Sequence, residues 1–319
     1  MKRRTMIQYA GAALLARYCN PVLAESGGPV TAVVPYPPGG GTDTSTRIIM
    51  KRAQDILGVP IVVENRPGGN TIIGTEALVR AAPNGRTLGM VLNSTTANQT
   101  LYKGKLSYDL YRDLAPVSLT HGYAHVLIVS AKFPADNFQA FIANVKSRPG
   151  KVTFASAGSG SVNHMAGELL KSMAGLDMLH IPYKGIGTLM PDLIAGRVDV
   201  LFGALPTALD LLRDKRVKIL AVTTAERQPA VPDLPAIAES YPGYAFSSWF
   251  GYMAPSGTPP ESIKTLNAAL VEAVKDPGVI ALLPGMQMFG STPQQLLDYM
   301  KEDERKVAQI IAKAGVKLD

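Results

Sequence analysis

The chain has 319 residues, of which 46% are hydrophobic and 18% charged, and it carries 32 basic residues against 25 acidic ones. This composition is typical of a packed globular protein and excludes a disordered or low-complexity chain. The length exceeds what one hydrophobic core usually organises, so we expect two lobes.

The first 24 residues have the features of an export signal. Lys2, Arg3 and Arg4 precede a short apolar stretch that ends near Ala16, and Val22-Leu23-Ala24 supplies small residues of the kind a signal peptidase recognises. We therefore expect a signal peptide over residues 1–24, cleavage after Ala24 and a periplasmic product. The Arg3-Arg4 pair leaves both the general secretory and the twin-arginine routes open.

Removal of that segment changes the charge and the cysteine count. Without Lys2, Arg3, Arg4 and Arg17, 28 basic residues face 25 acidic ones, a formal net charge of +3. That excess is too small to indicate nucleic-acid binding. The single cysteine, Cys19, is lost as well, so we expect no disulfide, no thiol nucleophile and no cysteine metal site.

Histidines do not indicate a metal site either. His121 and His125 are four residues apart, but the surrounding pattern is that of a strand, so the two rings do not face one another as helical metal ligands would. We expect a surface or core role for each, and we predict no metal and no cofactor.

The first mature elements form a strand, a glycine loop and a helix. Val30–Val34 is a buried strand that prolines 35, 37 and 38 stop, and Gly39–Gly41 lead into the N-cap residues Thr42–Thr44 of a helix. Such an order makes an anion site from backbone N–H groups. Since no Lys or Arg lies between residues 35 and 46, neutral groups would hold the anion. A turn without a ligand explains a single loop of this kind equally well.

The following elements continue the same alternation. We predict a strand over 59–63, a helix over about 71–82 and a strand over 87–92, followed by the polar segment Asn93–Asn98. Two consecutive βαβ units predict a parallel sheet, whose ligands bind beyond the carboxyl ends of the strands. The segments 35–43 and 93–98 should therefore converge.

A second lobe begins near residues 117–130. Two strand-like runs, 116–119 and 125–129, are joined at Gly122, and a helix buries Phe138, Phe141, Ile142 and Val145. Strand 152–155, loop 156–161 and a further helix then repeat the opening pattern, again without a cation. Two such loops favour an anion site over structural turns.

The rest of the chain completes both lobes. We predict strands over 178–182, 198–202 and 217–223, helices over 188–195 and opening with Gly203–Thr207, and C-terminal helices near 260–274, 293–301 and 302–314. Prolines 229, 232 and 235 mark an extended return to lobe one. We expect Asp199 to have a structural role, and we expect Trp249, Phe250 and Tyr252 to pack at a hinge.

Several of these segments resemble the substrate receptors of tripartite tricarboxylate transporters, the Bug family. The matching stretches are Val34–Asp43, Val63–Gly68, Gly74–Glu76, Ala81–Gly85, Ser156–Glu168, Pro182–Gly185 and Trp249–Pro255. The match extends over nearly the whole mature chain, and several motifs together are more specific than any one.

The resemblance implies an α/β fold of the type II periplasmic binding protein kind. Its two lobes each have a mainly parallel sheet flanked by helices and are joined by a two-crossing hinge, with lobe one over 25–125 plus 246–319 and lobe two over 126–245. It implies a monomeric receptor that closes on a small mono- or dicarboxylate and delivers it to membrane permease subunits. No nucleic acid or cofactor is implied.

The resemblance also implies a set of binding residues. One ligand carboxylate would be held between two loops, by Tyr36, Gly40, Gly41, Thr42 and Asp43 from lobe one and by Ala157, Ser159, Gly160, Ser161 and His164 from lobe two. Ser94, Thr95, Asn98 and Ala204 would face the distal part of the ligand.

Two other functions fit a two-lobed α/β scaffold. A hydrolase or transferase would use Ser159, Ser161 and His164, but these residues lack the Gly-x-Ser-x-Gly elbow of such enzymes. A cytoplasmic effector-binding regulator is disfavoured by the signal segment and by the lack of a DNA-binding segment. Product formation from a carboxylate would favour the enzyme, and a cytosolic location would favour the regulator.

Overall fold

A computed structural model describes residues 27–314, in which ten strands form one continuous sheet. The predicted signal segment lies outside the described residues. The strands are β1 Val30–Val34, β2 Ile61–Asn65, β3 Thr87–Leu92, β4 Leu114–Ser130, β5 Val152–Ser156, β6 Met178–Pro182, β7 Val200–Ala204, β8 Val217–Val222, β9 Ser247–Pro255 and β10 Met286–Met288.

Twelve α-helices of the described residues cover this sheet. They are α1 Gly41–Leu57, α2 Ile72–Val79, α3 Asn93–Leu101, α4 Leu110–Asp113, α5 Phe138–Ser147, α6 Val162–Ala174, α7 Ile186–Ala195, α8 Leu205–Arg213, α9 Ile237–Ser240, α10 Pro260–Lys275, α11 Pro277–Leu282 and α12 Pro293–Ala314. In this part of the chain no helix combines the length and the apolar character needed to cross a membrane.

Strand β4 joins the two halves of the sheet. Its first part, Leu114–Ala124, pairs antiparallel with β9, while β1, β2 and β3 pair in parallel beyond β9. Its second part, from His125, pairs antiparallel with β7 and β8, and β5 pairs in parallel with both β6 and β7. We call the half with β1–β3 lobe one and the half with β5–β7 lobe two. The chain passes between them along β4 and again at the start of β9.

Each lobe has its own apolar core. In lobe one, Ile49, Leu88 and Leu270 belong to a cluster that α1, β3 and α10 form together. In lobe two, separate clusters cover the two faces of the sheet, one around Phe141 and Leu170 and one around Leu189 and Leu201. The mixed α/β fold expected from the sequence is confirmed.

The C-terminal helix α12 packs on both lobes. Leu296 and Met300 contact the cluster of Trp249 and Leu78, while Val307 and Ile310 belong to the Phe141 cluster of lobe two. The prediction of two helices, over 293–301 and 302–314, was wrong, because α12 is one helix whose apolar face packs on the clusters of both lobes.

Two other local predictions were also wrong. Residues 116–129 form one strand without a break at Gly122. The second helix begins later and ends earlier than predicted, at Ile72 and Val79, after a short 3-10 turn. The polar segment Asn93–Asn98 starts helix α3.

Asp199 has the structural role that we expected. Its Oδ2 accepts hydrogen bonds from the backbone N–H of Thr153 at 2.9 Å and from the Thr153 hydroxyl at 3.0 Å. The carboxylate thus links the N-terminal ends of the neighbouring strands β7 and β5. The loops that lead into α6 and α8 leave from the opposite ends of these strands.

Candidate functional site

A cavity of about 450 Å³ lies between the lobes, where five helices begin. Its lining includes residues from the first turns of α1 (Gly41, Thr42), α3 (Ser94), α6 (Val162, Asn163), α7 (Ile186) and α8 (Pro206, Thr207). The first N–H groups of a helix have no intrahelical acceptor, and the helix dipole makes this end positive. The convergence of five helix N-termini therefore favours the binding of a negatively charged ligand.

The cavity lining carries no charged side chain. Among the described residues that line it there is no Asp, Glu, Lys or Arg. An anion here would therefore be held by amides, hydroxyls and helix dipoles. Nor do three or more His, Cys, Asp or Glu side chains between residues 27 and 312 come together in a way that could hold a metal ion.

The loop before α1 is fixed by Asp43, which lies behind the cavity wall. Its Oδ2 accepts hydrogen bonds from the Gly39 N–H and from Nε of Arg47, both at 2.9 Å, and its Oδ1 accepts one from Asn65 Nδ2 at 2.9 Å. Asn65 Nδ2 also donates to the Tyr36 carbonyl at 3.0 Å. Asp43 thus holds both sides of the loop, while Gly41, Thr42 and Tyr36 line the cavity and Gly40 is the exposed N-cap.

Asp43→Ala is expected to loosen this loop and weaken binding of an anion in the cavity. The Arg47 hydrogen bond holds the pKa of Asp43 low, at about 2, so the carboxylate stays ionised. This stabilisation is present above the ordinary pKa of 3.8 and is lost as the pH falls towards 2. Because three donors lose their acceptor, we expect the free energy of unfolding at pH 7 to fall by about 1–3 kcal/mol, measured by urea titration.

Asp55→Ala is the matched control for that variant. Asp55 lies exposed on the same helix and pairs with Lys51 at 2.7 Å, and an exposed pair of this kind contributes only about 0.3–0.5 kcal/mol. An equal loss of stability in the two variants would contradict the role given to Asp43.

The loop before α6 is supported from behind by His164. The Nδ1 atom of this buried ring accepts the Gly160 N–H at 3.1 Å, and the ring stacks on His180 with centroids 3.7 Å apart. Ala157 and Ser161 line the cavity, and the Ser161 hydroxyl caps α6 by accepting the His164 N–H. Ser159, Gly160 and His164 are not among the lining residues. With Nδ1 engaged by the backbone, His164 is placed as a support.

The two lobes touch beside this loop. Gly160 has a φ of +78°, and a Cβ there would come within 2.6 Å of the Leu101 side chain at the end of α3. The loop of lobe two thus lies directly against lobe one, and glycine suits both the positive φ and the close approach at this position.

Helix α3 supplies one lining residue and two supports. Ser94 lines the cavity and hydrogen-bonds to the hydroxyl of Tyr36, whose pKa is raised by burial. The Thr95 hydroxyl accepts the Leu92 N–H at 3.3 Å, while Asn98 donates to the Asn70 carbonyl at 2.6 Å. Neither Thr95 nor Asn98 lines the cavity, whereas Asn70 does. Ala204, at the N-cap of α8, lines it as well.

The sequence analysis did not predict the residues that form the floor of the cavity. It consists of Tyr123 and His125 from β4 and Ser248 and Phe250 from β9. The ring of His125 donates from Nδ1 to the Phe202 carbonyl at 3.1 Å and accepts at Nε2 from the Ser248 hydroxyl at 2.8 Å. Burial lowers the pKa of His125 to about 4, which leaves the ring neutral at pH 7. The i, i+2 spacing in each strand is the signal that could have found these residues.

The comparisons with known proteins identify the family. The sequence profile of the tripartite tricarboxylate transporter family receptor matches residues 46–316. The protein BugT of Bordetella pertussis is 34% identical over 296 residues, which cover 91% of this chain and 90% of BugT. The chain belongs to this receptor family.

Solved structures agree with that assignment. An R. palustris protein solved with adipate is 30% identical to this chain and superposes with a TM-score of 0.82. The alignment covers 91% of this chain and 98% of that protein's chain. MatC of Rhodopseudomonas palustris, solved with bound malate, is 30% identical over 89% of this chain and 98% of its own, with a TM-score of 0.78. The resemblance inferred from the motifs is confirmed. The chain is a solute receptor and not an enzyme, so the hydrolase or transferase alternative is wrong.

Proposed function

We propose that this receptor binds a small organic carboxylate between its lobes in the periplasm and delivers it to the membrane permease subunits of a tripartite transporter. The observation that carries the proposal is the convergence of five helix N-termini on a cavity whose described lining has no charged side chain. The relatives solved with adipate and malate support the same class of ligand.

The proposal places lobe one over residues 25–125 and 246–319 and lobe two over 126–245, with hinge crossings in β4 and at the start of β9. Carboxylate oxygens would accept from the first turns of α1 and α6, close to Tyr36, Gly41, Thr42, Ala157 and Ser161. Ser94 and Ala204 would contact the rest of the ligand. The remaining predicted residues do not line the cavity: Gly40, Asp43, Thr95, Asn98, Ser159, Gly160 and His164. Of these, Asp43, Thr95, Asn98 and His164 would support the residues that do.

Neutral donors suit a carrier, since the ligand must later leave. An acid that contacts both lobes shifts the equilibrium towards the closed form only to the extent that it binds this form more tightly than the open one. The hinge strands β4 and β9 can absorb the motion between the lobes at their two crossings.

A carboxylate library with matched neutral analogues tests this function. We expect at least one acid to stabilise the protein without turnover, by about 2.7 kcal/mol at a ligand concentration 100 times Kd, while its primary amide does not. Thermal unfolding measures the shift and calorimetry the affinity. Mass spectrometry of the periplasmic fraction should find a chain that begins at Glu25, and a protein retained in the cytosol would contradict the proposed location.

Gly41→Val locates the binding site within the same experiment. A Cβ at Gly41 meets no atom within 4 Å, and side chains in the first turn of a helix lean towards its N-terminus, which here faces the cavity. We expect the fold to persist and the affinity to fall at least tenfold. Thr44→Val, an exposed change in the same turn, is the control, and equal affinities of the two variants would exclude this cavity as the site.

A further inference from the structure

One side of the cavity is apolar and is contributed by both lobes. Ile128, Ile186, Met190 and Leu201 come from lobe two and Met286 from lobe one, and we call these five residues the apolar wall. Ile128 and Leu201 are register partners on β4 and β7, and Met190 packs against their cluster from α7.

Several of the hydrogen-bond donors near this wall are missing or already engaged. Two helices begin there: α7 starts with the wall residue Ile186, and α8 has Pro206 at its second position, where proline has no N–H to offer an anion. Both ring nitrogens of His125 are already engaged, by the Phe202 carbonyl and by the Ser248 hydroxyl. One N–H of the Asn163 side chain is also engaged, since its Nδ2 donates to the same Phe202 carbonyl at 2.6 Å.

We propose that the acid carried by this receptor is a monocarboxylate with an alkyl or aryl body, and that the apolar wall rejects a second carboxylate. The inference rests on the proposed function and specifies its ligand. One carboxylate is served by the first turns of α1 and α6, whereas a second one at the wall would lose its water against five apolar side chains. A hydrocarbon body gains from burial there, and the thioethers of Met190 and Met286 add favourable contacts to an aromatic ring.

Pairs of acids with the same carbon skeleton test this inference. Calorimetry on the mature protein compares hexanoate with adipate and benzoate with terephthalate. We expect each monoacid to bind at least tenfold more tightly than its diacid. A diacid that binds equally or more tightly overturns the inference and leaves the proposed function standing. If neither monoacids, diacids nor the wider carboxylate library bind, both fail.

Met190→Lys should invert the preference, because it adds a cation to the half-buried wall. We expect the affinity for adipate to rise at least tenfold relative to that for hexanoate. Leu212→Lys, which adds the same charge at an exposed position of α8, should leave the ratio unchanged. Met286→Lys repeats the test from lobe one if the first variant fails to fold, and an unchanged ratio in a folded wall variant overturns the inference.

Discussion

Gly122→Ala is expected to lower the free energy of unfolding by about 3 kcal/mol and to weaken ligand binding with it. Gly122 lies opposite Trp249 where β4 and β9 cross between the lobes, and an added Cβ would overlap the backbone carbonyl oxygen of Ser248. Backbone atoms cannot rotate away as a side chain can, so the two strands must separate. Since Tyr123 and Ser248 form the cavity floor beside this point, the separation would distort the floor as well.

Urea unfolding and calorimetry with the cognate acid measure the two effects of Gly122→Ala. The control is Gly187→Ala in α7, where an added Cβ meets no atom within 4 Å and φ is not positive. Gly187 is the second residue of α7, and alanine there has less freedom in the unfolded chain than glycine. We therefore expect Gly187→Ala to leave the free energy of unfolding unchanged or to raise it slightly, whereas Gly122→Ala lowers it. A neutral Gly122→Ala would contradict the close approach of the strands.

Gly122 also explains why the prediction of two strands in place of β4 was wrong. In a sequence, Gly122 between two apolar runs is typical of a turn, and we predicted two strands. In the structure the glycine allows a close approach of two backbones within one continuous strand. The carbonyl that it approaches belongs to Ser248, more than 120 residues away, so no local pattern could reveal the reason.

The loops before α1 and α6 were predictable because their chemistry is local. A strand, small residues and N-cap types follow one another within about 15 residues at both places. The residues that hold these two loops in place were harder to predict from the sequence. The pairing of Asp43 with Arg47 has the i, i+4 spacing of a helix, but the bond from Asn65 to Asp43 spans 22 residues.

The cavity floor needed the pairing of β4 with β9, which the sequence does not show. His125 and Ser248 are 123 residues apart, and the strand pattern of each segment was clear while their register was not. The same reason applies to α3. Its residues Asn93–Asn98 have types that favour turns, and contacts with distant residues make the segment helical.

One of these distant residues is Asp303 on α12. Its Oδ1 accepts from Asn93 Nδ2 at 3.1 Å, and its Oδ2 lies 2.5 Å from the Thr96 hydroxyl. Asn93 also donates to the Ser247 carbonyl at 3.2 Å and accepts the Trp249 N–H at 3.2 Å. A single carboxyl group thus connects the C-terminal helix, the start of α3 and the hinge strand β9.

Burial raises the pKa of Asp303 from 3.8 to about 6, against the lowering effects of hydrogen bonds and of Lys306. Between these two pH values the folded protein binds more protons than the unfolded chain, so this group makes stability fall as the pH rises. The full cost of ionisation, about 3 kcal/mol, is reached above pH 6. Below pH 3.8 the group is protonated in both states and the cost is absent.

Asp303→Asn is therefore expected to stabilise the protein at pH 7.5, by up to about 3 kcal/mol, because the amide resembles the protonated acid. Its Nδ2 can donate to the Thr96 hydroxyl, which in turn donates to the Asn93 carbonyl 2.9 Å away, while its Oδ1 accepts from Asn93 Nδ2. Urea unfolding of parent and variant from pH 4 to 8 measures the difference, which should grow through pH 6 and then level off. Asp298→Asn, an exposed change on the same helix, should follow the parent curve. A constant difference across this range would show that Asp303 does not titrate within it.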